Sequence, residues 1–190
     1  MDAIPQDILD RARRIRLLVT DIDGVLTDGR VWYTAQGDEF QGFDIKDGLG
    51  IRLAAAAGIH VAMVSGRTSE VNVRRAQDLK VATLLQGVRY KAHAVRDLAQ
   101  THGLDRAEIA CIGDDVNDFP AFDEAGLTFA PCDASDEAKA RVDHILTRPG
   151  GAGAVREVVT ILLRAQGKLE SAIRAFLAEL EAEHLGPLAP

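Results

Sequence analysis

The sequence predicts a doubly wound α/β protein: a parallel β-sheet with helices on both faces, formed by one domain over residues 1–190. Three observations predict it. Short apolar runs recur along the chain, helix-period segments separate them, and small or acidic residues close most of the runs. Unalternating runs of this length suit strands buried on both faces, as parallel strands are. Strand–helix–strand order then calls for right-handed crossovers, the wiring of a Rossmann-like sheet.

The first strand is expected over 15–20 and runs into Thr20-Asp21-Ile22-Asp23-Gly24. Residues 29–45 break the alternation. GRVWYTAQGDEFQGFDI reads as two strands, 31–33 and 40–45, around a turn at Gln36-Gly37-Asp38, so a β-hairpin is inserted here. A helix over 48–57 stops at Gly58, and a strand over 60–64 runs into Ser65-Gly66-Arg67. A helix over 69–79, a strand over 81–85 and a helix over 91–102, opened by Lys91 and stopped by Gly103, come next. The strand over 108–112 runs into Gly113-Asp114-Asp115-Val116-Asn117-Asp118. A helix over 116–125 and strands over 127–130 and 144–147 complete the alternation. The tail, 154–190, is helical in pattern, bent or split at Gly167 and ended by Gly186-Pro187. Val155, Val158, Val159, Leu162 and Leu163 give it a face to lay on the sheet.

Composition narrows the function classes. With 47% hydrophobic and 27% charged residues in 190, the chain is a folded domain rather than a disordered or fibrous one. Its formal charge of −7 makes it a poor partner for nucleic acid, whose phosphates need basic surfaces. Cys111 and Cys132 lack C-x-x-C spacing, so neither a disulfide framework nor a zinc site is expected, and both are read as buried thiols in a reducing compartment. The opening MDAIPQDILDRARR has early acids and no apolar leader core, and no run approaches the roughly 18 apolar residues of a membrane span. A cytoplasmic protein with no membrane partner is expected.

Ligands of open α/β sheets bind beyond the carboxyl ends of the strands. There this sequence places Asp21, Asp23, Ser65, Gly66, Arg67, Asp114, Asp115 and Asp118, with Lys91 opening the helix after the third main-sheet strand. So many carboxylates without counter-charge are costly to assemble, and a divalent cation is the simplest remedy. Oxygen ligands alone favour Mg²⁺ over Ca²⁺ or Mn²⁺, and Mg²⁺ shares its sphere with water and substrate phosphate. A nearby Ser and Lys suit the phosphoryl oxygens that the ion does not reach. Each piece alone has a plainer reading: D-x-D as a turn or helix cap, Ser65 as a cap, Lys91 as a solvated residue, G-D-D-x-x-D as a helix-start acidic cluster. Their recurrence at successive strand ends favours chemistry.

The combination Asp21-x-Asp23-Gly24-Val25-Leu26-Thr27, Ser65, Lys91 and Gly113-Asp114-Asp115-x-x-Asp118 resembles the haloacid dehalogenase superfamily of phosphohydrolases. The resemblance implies Asp21 as nucleophile, Asp23 as general acid/base, and Ser65 and Lys91 as holders of the phosphoryl group. It implies metal ligation by Asp21, Asp23 and Asp114, with Asp115 and Asp118 as ligands or as supports behind them. Asp21 then attacks phosphorus and forms an aspartyl phosphate, and Asp23 protonates the leaving sugar oxygen before activating water. The gaps between 23 and 65 and between 65 and 91 have no room for the cap domain that many members carry. An uncapped site implies a large substrate or a neighbouring subunit as lid, and the acidic balance disfavours nucleic-acid ends.

The capless plan, DIDGVLTDG from Asp21, Lys46-Asp47-Gly48-Leu49-Gly50-Ile51, Ser65-Gly66-Arg67, Gln86-Gly87 and the segment from Gly150 to Glu157 look like the 3-deoxy-D-manno-octulosonate 8-phosphate phosphatase family, over roughly residues 10–170. That resemblance implies a Mg²⁺-dependent homotetramer built around its hairpins, serving lipopolysaccharide synthesis, with each site completed by a neighbour. Arg67, with Asp23, Ser65, Gly66 and Lys91, is then a substrate contact suited to a sugar carboxylate or phosphate. Thr68 and Ala152 depart from the family, standing where members often have lysine or arginine, and both bear on the sugar. The alternatives are a phosphatase of N-acylneuraminate 9-phosphate or another small sugar phosphate, and a phospho-accepting receiver-like signalling module. Receivers usually carry an adjacent acidic pair after the first strand, whereas D-x-D-G-V-x-T stands here.

Overall fold

The structure, a computed structural model, describes residues 4–184. A first helix, α1 (Gln6–Ala12), leads into β1 (Leu17–Thr20), the hairpin strands β2 (Trp32–Tyr33) and β3 (Glu39–Phe40), and α2 (Ile45–Ala56). Then follow β4 (His60–Val64), α3 (Glu70–Asp78), β5 (Thr83–Leu85), α4 (Lys91–His102), β6 (Ile109–Ile112), α5 (Phe119–Phe122), β7 (Leu127–Ala130), α6 (Asp136–Lys139), β8 (His144–Ile145), α7 (Ala154–Ala165) and α8 (Leu169–His184).

Six strands form one sheet in the order β5-β4-β1-β6-β7-β8. Every pairing in it is parallel, as the unalternating runs predicted. β1 is the centre: the chain fills the sheet on one side of it through β4 and β5, then returns to fill the other. Period-two alternation sends Leu18 to the face covered by α1, α2 and α7. Leu17 and Val19 point to the opposite face, against Val95 and Leu98 of α4 and Phe122 of α5. The tail residues Val155, Val158, Val159, Leu162 and Leu163 are buried on the first face, as their spacing predicted. Gly167 does separate α7 from α8, while the expected stop at Gly186-Pro187 lies outside the described residues.

Several boundaries differ from expectation, each for a local reason. α2 begins at Ile45 rather than 48 because Asp44 caps it, accepting from Lys46 N. The second hairpin strand therefore covers only Glu39–Phe40. Gly48 and Gly50 lie inside the helix, where α2 packs closely on Arg75 and on the Arg156 backbone. The helix expected over 116–125 is a 3₁₀ turn, Val116–Asp118, followed by the single turn of α5, with Pro120 in that first turn. β8 is shorter than the 144–147 run. Cys111 is buried, but Cys132 is exposed, because it follows β7 in a surface loop rather than in the sheet. No helix among the described residues is long and apolar enough to cross a membrane.

Two long-range hydrogen bonds tie two sequence motifs together. Asp47, fully buried, accepts from Gly153 N (3.0 Å) and Arg156 N (2.7 Å), capping α7 from 106 and 109 residues away. This is why Lys46-Asp47-Gly48 and the glycine-rich segment belong together. Replacing Asp47 by Ala strands both buried donors and is expected to lower unfolding free energy by about 1–3 kcal/mol, read as a shift in the urea midpoint at unchanged slope.

Candidate active site

The ends of β4, β1 and β6 lie side by side, and the parallel ladder fixes the residue after each. Asp21 N donates to Ile112 O (3.0 Å), Ser65 N to Leu85 O (2.9 Å) and Gly113 N to Phe129 O (3.2 Å). The ladder thus brings the D-x-D, Ser-Gly-Arg and Gly-Asp-Asp segments to one edge of the sheet, at its centre.

Lys91, the first residue of α4, is only 2% exposed. Its Nζ lies 2.7 Å from Asp21 Oδ1 and 2.6 Å from Asp118 Oδ1. The other Asp118 oxygen, Oδ2, accepts from Asp114 N (2.9 Å), folding the Gly-Asp-Asp turn back on itself. Asp21, Asp114 and Asp118 each offer a carboxylate oxygen, and the three lie within 4.8 Å of one another. Two glycines make this possible. Gly24 has φ +91°, and any side chain there would collide with the Asp114 carboxylate. At Gly113 a side chain would collide with Asp118.

One ammonium among three carboxylates leaves negative charge in excess. Burial, then Asp118, raises the Asp21 pKa despite Lys91. Burial, then Asp118 and Asp115, pushes Asp114 up to about 7. Burial alone would lower Lys91, but Asp21 and Asp118 overcome it and hold the ammonium above its usual range. A set of hard oxygen donors so crowded fits a divalent cation such as Mg²⁺. Asp115 is turned outward: it is exposed, and its Oδ1 accepts from Val116 N (2.8 Å), capping the 3₁₀ turn.

Asp23 stands apart from these three. Its carboxylate accepts from Ser65 Oγ (2.9 Å), Arg67 Nη1 (3.0 Å) and Gln41 Nε2 (2.6 Å). Its side chain therefore faces Ser65 and Arg67 rather than joining the trio that the sequence reading grouped it with as a metal ligand. Arg67 is also bound by Glu39 (3.1 Å) and the Tyr33 hydroxyl (3.1 Å). Burial lowers its pKa, but Asp23 and Glu39 outweigh that and raise it. Gly66 lies in the turn after β4, between Ser65 and Arg67, and Gly87 N donates to Arg67 O (3.1 Å). Gln86 Oε1 accepts from Ser69 N (2.8 Å), and Ser69 Oγ donates to Glu39 Oε1 (2.8 Å). Tyr33, Glu39 and Gln41 were not singled out as site residues in the sequence. The available signal was their alternation: Glu39 and Gln41 flank Phe40, so a strand aims both at the same side.

An uncapped six-stranded sheet with Asp21, Ser65, Lys91 and Asp114 at its carboxyl edge defines a haloacid dehalogenase-like hydrolase. A family model described as a haloacid dehalogenase-like hydrolase matches residues 84–157. The 3-deoxy-D-manno-octulosonate 8-phosphate phosphatase of Haemophilus influenzae is 42% identical over 158 residues, covering 83% of this chain and 88% of that protein. The crystal structure of the Yersinia pestis 3-deoxy-D-manno-octulosonate 8-phosphate phosphatase superposes with a TM-score of 0.86 at 38% identity, covering 88% of this chain and 90% of that one. That of Moraxella catarrhalis, solved with a magnesium ion, a phosphate ion and KDO, gives a TM-score of 0.87 at 35% identity, covering 91% and 99%. The chain belongs to the 3-deoxy-D-manno-octulosonate 8-phosphate phosphatase family.

The carboxylate trio gives a test independent of turnover. Added Mg²⁺ is expected to raise the melting temperature of the wild-type protein, and to raise it much less in Asp114→Asn. Because Asp21 and Asp114 titrate above the ordinary range, acid competes with the ion. With Asp21 raised to about 8 and Asp114 to about 7, the Mg²⁺ stabilisation should be greatest above about pH 8 and shrink steadily towards about pH 6 as these donors take up protons. Thermal melts with and without MgCl₂ across that interval measure it.

Proposed function

We propose that the chain is a Mg²⁺-dependent phosphatase that hydrolyses 3-deoxy-D-manno-octulosonate 8-phosphate through an aspartyl phosphate on Asp21. The observation that carries the reading is the buried arrangement of Asp21, Lys91, Asp114 and Asp118 beside a separate Asp23 bound to Ser65 and Arg67. One carboxylate is thereby kept for attack and another for proton transfer. The Moraxella relative, solved with magnesium, phosphate and KDO, supports the same substrate class.

A Mg²⁺ ion held by Asp21, Asp114 and Asp118 would supply charge neutralisation for the phosphoryl oxygens and for the trio itself. The protein does the rest. Lys91 orients Asp21 through Oδ1, leaving Oδ2 to attack phosphorus. As that bond forms, the bond to the sugar oxygen breaks, and Asp23 gives its proton to the departing alkoxide. Water then attacks the aspartyl phosphate while Asp23 takes its proton, releasing phosphate and restoring the Asp21 carboxylate. Lys91 Nζ, and Ser65 Oγ once its one hydrogen turns from Asp23, are donors for the phosphoryl oxygens. Arg67, reaching past Asp23, pairs with the acidic sugar.

Asp21→Asn is expected to lose essentially all phosphate release while still folding, with a shifted melting temperature because it removes a charge from the buried Lys91 pair. Octulosonate 8-phosphate should be the better substrate beside neuraminate 9-phosphate in a phosphate-release assay, with EDTA abolishing both. Preference for neuraminate would move the substrate and spare the mechanism. Turnover by Asp21→Asn would remove both.

We further propose a homotetramer assembled through the hairpin. A pair of two-residue strands has no stability of its own in water. This one exposes Trp32 (62%), Tyr33 (65%) and Phe40 (56%), followed by Ile45 (77%), an apolar set that neighbouring hairpins would cover. Light scattering on the eluting protein should give a tetramer, and Trp32→Asp with Phe40→Asp a smaller species. A monomeric wild type defeats this proposal.

A further inference from the structure

Gln41 lies one residue past β3, on the returning arm of the hairpin, partly buried over the site. Its Nε2 donates to Asp23 Oδ1 at 2.6 Å. Its Oε1 is buried and has no hydrogen-bond partner among the described residues. A buried acceptor left unpaired is unfavourable. Turning the amide over would be worse while Asp23 is ionised, because it would set oxygen against carboxylate oxygen. The orientation of Gln41 is therefore dictated by Asp23, and the cost at Oε1 is accepted to keep that one bond.

The two Asp23 oxygens are consequently unlike. Oδ1 receives two donors, Gln41 Nε2 and Arg67 Nη1, whereas Oδ2 receives only Ser65 Oγ. Oδ2 keeps a lone pair free beside the phosphoryl-binding hydroxyl. Arg67 cannot fix Asp23 alone. Its side chain is one-third exposed and shared with Glu39 and Tyr33, and in the phosphatase reading above it is the group that turns to the anionic substrate. When it does, Gln41 remains as the donor on Oδ1.

We infer that Gln41 is a positioning residue that locks the rotation of the Asp23 carboxyl, so that Oδ2 carries the transferred proton. This rests on the phosphatase reading above. In that reaction the Asp21–phosphorus bond forms as the phosphorus–sugar oxygen bond breaks. The Oδ2 proton passes to the alkoxide, leaving Asp23 as a carboxylate held by Gln41. In this role the effect of Gln41 runs wholly through Asp23.

The test compares two esters. A sugar phosphate needs a proton on its leaving oxygen, whereas p-nitrophenyl phosphate releases a stable anion without one. For Gln41→Met, near in shape but without a donor, kcat/KM on octulosonate 8-phosphate should fall about tenfold to a hundredfold with KM little changed. On p-nitrophenyl phosphate it should fall by less than about threefold. Gln41→Asn, whose amide stops one methylene short, should show the same selective loss, and it serves if the Met variant fails to fold. Equal losses on both esters, or no loss on either, overturn the role of Gln41 and leave the phosphatase reading standing. A wild-type chain that frees phosphate from neither ester overturns both.

Discussion

The site depends on a charge that does not balance. Lys91 is buried between Asp21 and Asp118, with Asp114 close by, so a single ammonium serves three carboxylates. Removing one member of such a buried set typically costs about 3–5 kcal/mol, since the remaining charges lose their partner without regaining water. Lys91 therefore keeps the trio compact enough to fold, and the carboxylate excess keeps it receptive to a cation. The rest of the edge conforms to that cluster: Gly24 and Gly113 give it space, and the Asp114 amide turns onto Asp118.

Beside this cluster stands a second arrangement of a different electrical kind. Asp23 is held by a hydroxyl, an amide and a guanidinium, all three supplied from outside its own motif. In the proposed reaction, dividing the carboxylates between a cation-binding group and a hydrogen-bonded one separates the tasks of attack and proton transfer within a few residues of chain. The hairpin joins the two scales of the molecule. It presents apolar side chains outward while Glu39 and Gln41 reach inward to Arg67 and Asp23.

Most of this was legible before the fold was known, and the exceptions follow one rule. Residues set by a strand end were readable: Asp21, Ser65 and Asp114 each follow an apolar run whose period betrays a parallel strand. Lys91 was readable as the start of a helix. What only the fold reveals is any relation between distant segments. Nothing local in Asp47 says that it caps α7, and nothing local in Gln41 says that it meets Asp23. Asp115 and Asp118 look alike in sequence, yet one caps a 3₁₀ turn facing solvent and the other is buried against Lys91, a difference set by a single turn. Local propensity failed at that same turn, where Pro120 and the Asp115 cap replaced the expected helix, and at the start of α2, which the Asp44 cap sets three residues earlier than Gly48.

The ladder that carries Asp21, Ser65 and Gly113 has a consequence for how such a protein can vary. Each of these residues is placed by counting along a paired strand, one step past its last neighbour. Exchanging one aliphatic residue for another within the strands leaves that count untouched. Adding or deleting a single position within β1 turns its side chains to the opposite face and carries Asp21 away from Lys91. Divergent copies of this chain can thus drift freely in the chemistry of their strands while their spans stay frozen, and new specificities must arise in the hairpin and loops that the count does not reach.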